Sequence, residues 1–79
     1  MTHAKSGQKV IADSDHSGCR ITLLDYGDAD YLEDQLIERC NISNVERINE
    51  NMKDGIESFI LFIPNRSADS VQHIIDQIE

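Results

Sequence analysis

Five large apolar residues in succession, Phe59-Ile60-Leu61-Phe62-Ile63, followed by Pro64, constrain the fold more than any other stretch of the chain. The run is too short to cross a bilayer, and its β-branched and aromatic members favour a strand over a helix. Pro64 has no N–H to donate and drives Ile63 toward extended geometry, so the strand ends there. On a strand, Phe59, Leu61 and Ile63 point to one side while Ile60 and Phe62 point to the other. Both sides are apolar, which puts the strand inside a sheet with a cover over each face.

The remaining segments supply that sheet and one of its covers. Lys9-Val10-Ile11-Ala12 reads as an edge strand, and Asp13 to Gly18, dense in turn formers, as a loop. Cys19 to Tyr26 alternates, with Ile21 and Leu23 on one face and Thr22, Leu24 and Tyr26 on the other, until Gly27 breaks it. Ala29, Leu32, Leu36 and Cys40 then recur at helical spacing, with Ile37 widening the stripe. Asp28 or Asp30 supplies the N-cap, Asp30 and Glu33 have capping-box spacing, and Asn41 suits a left-handed terminator.

Ser43 to Lys53 reads as a strand joined to the apolar run by an Asp54-Gly55 hairpin turn. A two-residue turn there pairs Met52 with Glu57, Glu50 with Phe59 and Ile48 with Leu61. A third helix over Ser43–Lys53 is the alternative, supported by Val45, Ile48 and Met52 at helical spacing. Ser67 caps a closing helix whose apolar stripe is Val71, Ile74, Ile75 and Ile78. The predicted architecture is therefore an α+β two-layer sandwich in the order ββαββα. Its mainly antiparallel four-stranded sheet carries both helices on one face. Residues 1–8, polar and small, read as a flexible terminus, and 9–79 as a single domain, as a length of 79 residues implies.

From Ile21 onward this order resembles the first five elements of the ACT-type ligand-sensing domains, which share the ferredoxin-like βαββαβ plan. The resembling features are a strand ending in Asp25-Tyr26-Gly27, an amphipathic helix, and Cys40-Asn41-Ile42-Ser43-Asn44-Val45. After these come the Asp54-Gly55 turn, the apolar strand and a helix opening Ser67-Ala68-Asp69. The family's last strand has no counterpart after the closing helix, and Lys9–Ala12, antiparallel to Ile21–Tyr26, would fill its place. Gly27 echoes the glycine of the family's ligand loop, whose neighbouring proline has no counterpart here. The resemblance implies a fold and by itself no ligand, and a small-ligand-sensing domain is one alternative function.

Charge and composition narrow the function. Fifteen acidic against seven basic side chains give a formal charge of −8, which repels nucleic acid and anionic lipid alike. The cysteines, Cys19 and Cys40, follow no apolar leader, which predicts a cytoplasmic protein with both thiols free. Asp13, Asp15, His16 and Cys19 are the one cluster of catalytic residue types. Two aspartates beside the thiol oppose the thiolate that nucleophilic catalysis needs, and no metal-ligand spacing is present. Neither a cofactor nor a metal is expected, nor is an enzyme.

Binding is the expected activity, from a small regulatory or adaptor module. Ile60 and Phe62, extended by Leu24 and Tyr26, form the expected interface, and the partner is a second copy or another protein. The alternative from a different class is an acidic inhibitor or immunity-type protein that shields a basic enzyme through Asp28, Asp30, Asp34 and Glu38.

Overall fold

The structure, a computed structural model, describes residues 1–51 and 57–78. Its elements follow the order β1 (Ala12–Asp15), β2 (Gly18–Leu23), α1 (Tyr26–Glu38), β3 (Glu46–Asn51), β4 (Glu57–Pro64) and α2 (Ala68–Asp76). The four strands form one antiparallel sheet with spatial order β1-β2-β4-β3, so the apolar run occupies an interior strand. The described part of Ser43–Lys53 contributes a strand, Glu46–Asn51, and not a third helix. Three asparagines within it disfavour a helix, and β4 supplies a partner backbone.

Period-two alternation divides the sheet into two faces. Cys19, Ile21 and Leu23 of β2 and Phe59, Leu61 and Ile63 of β4 are buried against Ala29, Leu32 and Leu36 of α1 and Val71 and Ile75 of α2. Val10, Ile42 and Ile78 complete this core, so both helices lie over one face. Burial of these side chains is the main stabilising term, at about 1.5–3 kcal/mol for each fully buried large aliphatic.

Strand β1 begins later in the chain than Lys9–Ala12 predicted. Asp13, Ser14 and Asp15 are strand residues paired with Arg20, Cys19 and Gly18, and the turn contains only His16 and Ser17. An edge strand with a solvated outer side does not require apolar residues, so turn-forming aspartates hid it. Residues before it form a small hairpin, with a Thr2–Lys9 bridge and a bond from the Val10 amide to the Met1 carbonyl. The Met1 amino group reaches the Ile75 carbonyl at 3.1 Å. Gln72 of α2 binds the outer backbone of this edge twice. It accepts from the Ala12 amide at 2.7 Å and donates to the Val10 carbonyl at 3.0 Å.

Helix α1 starts earlier than expected. Leu23 ends the strand, and Asp25, not Asp28 or Asp30, is the N-cap, accepting from the Asp28 amide at 3.2 Å. Tyr26 and Gly27 thus belong to the first turn, where a glycine costs little because the N–H groups there lack intrahelical partners. At the other end Asn41 is left-handed (φ 57°) and the Ile42 amide closes back onto the Leu36 carbonyl at 3.0 Å. Leu36 and Ile42, the two residues joined by that closure, are both buried. In α2, Ser67 caps the Ser70 amide at 3.2 Å.

The β3–β4 register differs by one residue from the predicted hairpin. Asn51 pairs with Glu57, Asn49 with Phe59, Ile48 with Ile60 and Arg47 with Leu61. The Glu50–Phe59 and Ile48–Leu61 pairs are thereby replaced. Met52 and the Asp54-Gly55 turn lie outside the described residues. A one-residue shift turns every side chain of β3 over, sending Ile48 to the helix-free face and Arg47 to the helix side.

Candidate functional site

The face of the sheet opposite the helices is built from rows of residues in register. Asp13, Arg20, Phe62 and Glu46 make one row across all four strands. Thr22, Ile60 and Ile48 make the next, and Ser58 lies beyond them on the same face. Among the described residues no helix or strand lies over these rows. Ile48 is 40% exposed and Phe62 half-buried, whereas Ile60, in the middle of its row, is only 5% exposed. The apolar strip is therefore presented by Phe62 and Ile48, with Ile60 closing the floor between them. Arg20 and Glu46, both exposed, flank Phe62 on either side.

The four expected interface residues do not form one patch. Ile60 and Phe62 share this face. Leu24, 51% exposed, lies in the bend after β2 and lines a cleft of about 180 Å³ with His3, Lys5, Gln8, Asp25 and Asp28. Tyr26 belongs to α1, and its ring meets the buried Phe59 edge-on at 5.7 Å, on the helix side of the sheet. The alternation from Cys19 onward continues only to Leu23, and the last two expected members fell beyond the strand. Ile48 shares the face of Ile60 and Phe62, whereas the predicted register placed it opposite Leu61 on the other face.

The acidic helix face is also divided. At about 100° per residue, Asp30, Asp34 and Glu38 lie along one flank of α1 while Asp28 turns away from Asp30 by roughly 160°. Asp28 accepts a hydrogen bond from the Ala4 amide at 2.9 Å. Asp30 and Glu33 lie 3.5 and 3.7 Å from the Arg47 guanidinium, which also sits 4.8 Å from the centre of the Tyr26 ring. Arg47 thus reaches from the edge strand to α1, its stem covering apolar surface and its head among carboxylates and π-density. One of its terminal nitrogens is buried with no hydrogen-bond partner among the described residues. Asp34 and Glu38 have no ion-pair partner among the described residues.

The cluster of Asp13, Asp15, His16 and Cys19 is separated by the sheet itself. Asp13 and Asp15 project to the helix-free side, where Asp15 is 4.0 Å from Arg20. Cys19 projects into the core, and burial pushes its thiol above the ordinary range. His16 is exposed in the turn, its amide donating to the Asp15 carboxylate at 2.6 Å. A buried protonated thiol is a weak nucleophile. Both cysteines are free, with Cys40 half-buried beside a cleft of about 220 Å³ between the C-terminal ends of α1 and α2. Under native conditions an alkylating reagent should label Cys40 alone, and unfolding in denaturant should add Cys19. Rapid native labelling of both would show that the β2 core face opens.

Among the described residues, no group of three His, Cys, Asp or Glu is placed to hold a metal, and no helix is long and apolar enough to cross a membrane. No protein-family model matches the chain, and neither a curated protein nor a solved structure does.

Proposed function

We propose that this protein is a non-catalytic regulatory or adaptor module whose helix-free sheet face binds a second copy of itself. One observation carries the reading: Phe62 and Ile48 remain accessible beside a buried Ile60 on a face with no helix over it among the described residues. Accessible aromatic and branched side chains in register are the usual centre of an association surface. Ile60 already sits out of water, so the gain on association comes mainly from Phe62 and Ile48.

Four strands about 4.8 Å apart and some six residues long present a footprint of roughly 400 Å² per copy. That is below the ~800 Å² per partner of a standard stable interface, so the association is weak and governed by protein concentration. Such a module responds to local crowding of its own copies, a mode suited to regulation.

The sheet order supports the ferredoxin-like reading. Strand β1 lies antiparallel beside β2, where the last strand of a βαββαβ plan would lie. Ligand sensing of the ACT type is the weaker form of the proposal, since the clefts of about 220 and 180 Å³ are smaller than the ~300 Å³ and upward of small-molecule sites. An acidic inhibitor would rest on Asp34 and Glu38, because Asp30 is engaged by Arg47. We place the module in the cytoplasm, where two unpaired thiols are stable.

Sedimentation equilibrium up to about 1 mM, the range of weak complexes, tests the proposal. The wild type should show a reversible monomer–dimer equilibrium, and Phe62→Glu should be monomeric with an unchanged circular-dichroism spectrum. A wild type that stays monomeric at the highest concentration, or a Phe62→Glu variant that associates equally well, would overturn it.

A further inference from the structure

We infer that the second copy lies face to face on this sheet in a single orientation, with the two-fold axis running along β4, so that Arg20 of each copy meets Glu46 of the other. The inference rests on the proposed sheet-face dimer and specifies how it is arranged.

The row Arg20–Phe62–Glu46 crosses β2, β4 and β3 in direct register. Adjacent strands are about 4.8 Å apart, so the cation and the anion stand at equal distances on opposite sides of Phe62. Closed pairs of identical chains use a two-fold axis, and for two stacked sheets that axis lies in the plane between them. An axis parallel to β4 exchanges the two sides of the row. Arg20 then stands over the partner's Glu46, Glu46 over the partner's Arg20, and Phe62 over its own counterpart. The next row follows the same rule, with Ile48 over the methyl group of the partner's Thr22 and Ile60 over Ile60.

An axis along the rows has the opposite result. It stacks Arg20 on Arg20 and Glu46 on Glu46, which like-charge repulsion disfavours. Charge alone therefore selects one of the two symmetric arrangements. Sheets packed in aligned fashion cross at about 30°, which displaces groups this close to the axis by only 2–3 Å or so, within the reach of an arginine. Within one copy Arg20 has Asp15 at 4.0 Å, at the limit of an ion pair, and Asp13 beside it in the row, and the Arg20 side chain is 48% exposed. Asp13 and Asp15 lie beyond the exchanged pair on the β1 side, where an acidic margin disfavours sliding toward that edge.

A charge-swap experiment tests the arrangement. Arg20→Glu alone and Glu46→Arg alone should each weaken self-association about tenfold or more, since each puts like charges together twice across the axis. An equimolar mixture of the two variants should associate at least as well as the wild type, because every pair becomes complementary. The double variant R20E/E46R, with the same net charge as the wild type, should recover wild-type association. Arg20→Gln and Glu46→Gln serve as milder variants, and circular dichroism checks that each remains folded.

Three outcomes overturn the inference. One is self-association of the single variants equal to the wild type. Another is failure of the mixture to form a heterodimer. The third is a Glu46→Arg variant that associates more strongly than the wild type, since that result would assign the effect to net charge alone. Any of these can occur while Phe62→Glu still abolishes association, in which case the face is the interface and its orientation is different. A wild type that never associates removes the sheet-face dimer itself.

Discussion

Replacing Gly18 by alanine should cost about 3 kcal/mol, at the upper end of what overpacking usually costs. Gly18 opens β2 directly opposite Pro64, the last residue of β4. A methyl group there would run into the Ile63 carbonyl oxygen and stand 2.8 Å from the Pro64 Cα. Both are backbone atoms, and neither can step aside as a flexible side chain would. The preceding Ser17 carbonyl accepts from the Asn65 amide at 2.8 Å, so the hairpin turn and the end of β4 are tied on both sides of the clash. Glycine is required here by close approach and not by an unusual backbone angle. A chain of 79 residues has a total margin of about 4–12 kcal/mol, so the loss is a large share of it. Urea unfolding should show a much lower midpoint with little change in slope. A shift of less than about 0.5 kcal/mol, the scale of an ordinary surface change, would mean that β2 and β4 are not seated this closely.

Leu61→Ala should cost about 2–5 kcal/mol, the range for emptying a buried leucine site. Leu61 is completely buried on the helix side of β4, between Ile21 and Arg47 in its row. Both helices reach into the core it shares, with Leu32 and Leu36 from α1 and Val71 and Ile75 from α2. Neighbouring strands hold it in place and limit how far the cavity can collapse. The informative comparison is with the next residue. Phe62→Glu changes the opposite face of the same strand and should leave the melting temperature close to that of the wild type. Two adjacent substitutions with such different consequences would separate the core face from the helix-free face. Equal destabilisation by both would place Phe62 in a second core.

The parts of the fold that were legible in the sequence are those where burial demanded a pattern. The Phe59–Ile63 run announced β4, and the Ala29, Leu32, Leu36 and Val71, Ile75 stripes announced the helices, because water exclusion leaves no freedom at such positions. Strand β3 was recognisable as a strand but not in its register. Its only apolar residue inside the strand, Ile48, is compatible with either face, and Arg47 does on the core side what a hydrophobic residue would do elsewhere. Five residues separate Asn51 from Glu57, where a two-residue turn had set the expectation. Strand β1 was obscured because Asp13 and Asp15 are good turn residues and equally good solvated edge residues. The start of α1 was missed because Asp25, Asp28 and Asp30 are all competent caps, and only the path of the chain out of β2 decides among them. Ile60 and Phe62 share one face because period two is rigid inside a paired strand. Leu24 and Tyr26 were not part of the patch because that rule lapses where the strand ends.

Gln72 has a significance beyond the two hydrogen bonds it makes with the first strand. A bare outer strand offers a row of amides and carbonyls on which another chain can grow, and cross-β fibrils begin on such templates. Here the side-chain amide of a helix stands in for one peptide unit of a neighbouring chain, bonding Ala12 and Val10 as that chain would have done. The flank it guards is four residues long and carries two carboxylates, which further discourages a growing strand. Strand β3 forms the other edge of the sheet, so Gln72 closes the β1 flank alone. One side-chain amide thus closes one of the two edges along which another chain could extend a sheet with so apolar an interior strand.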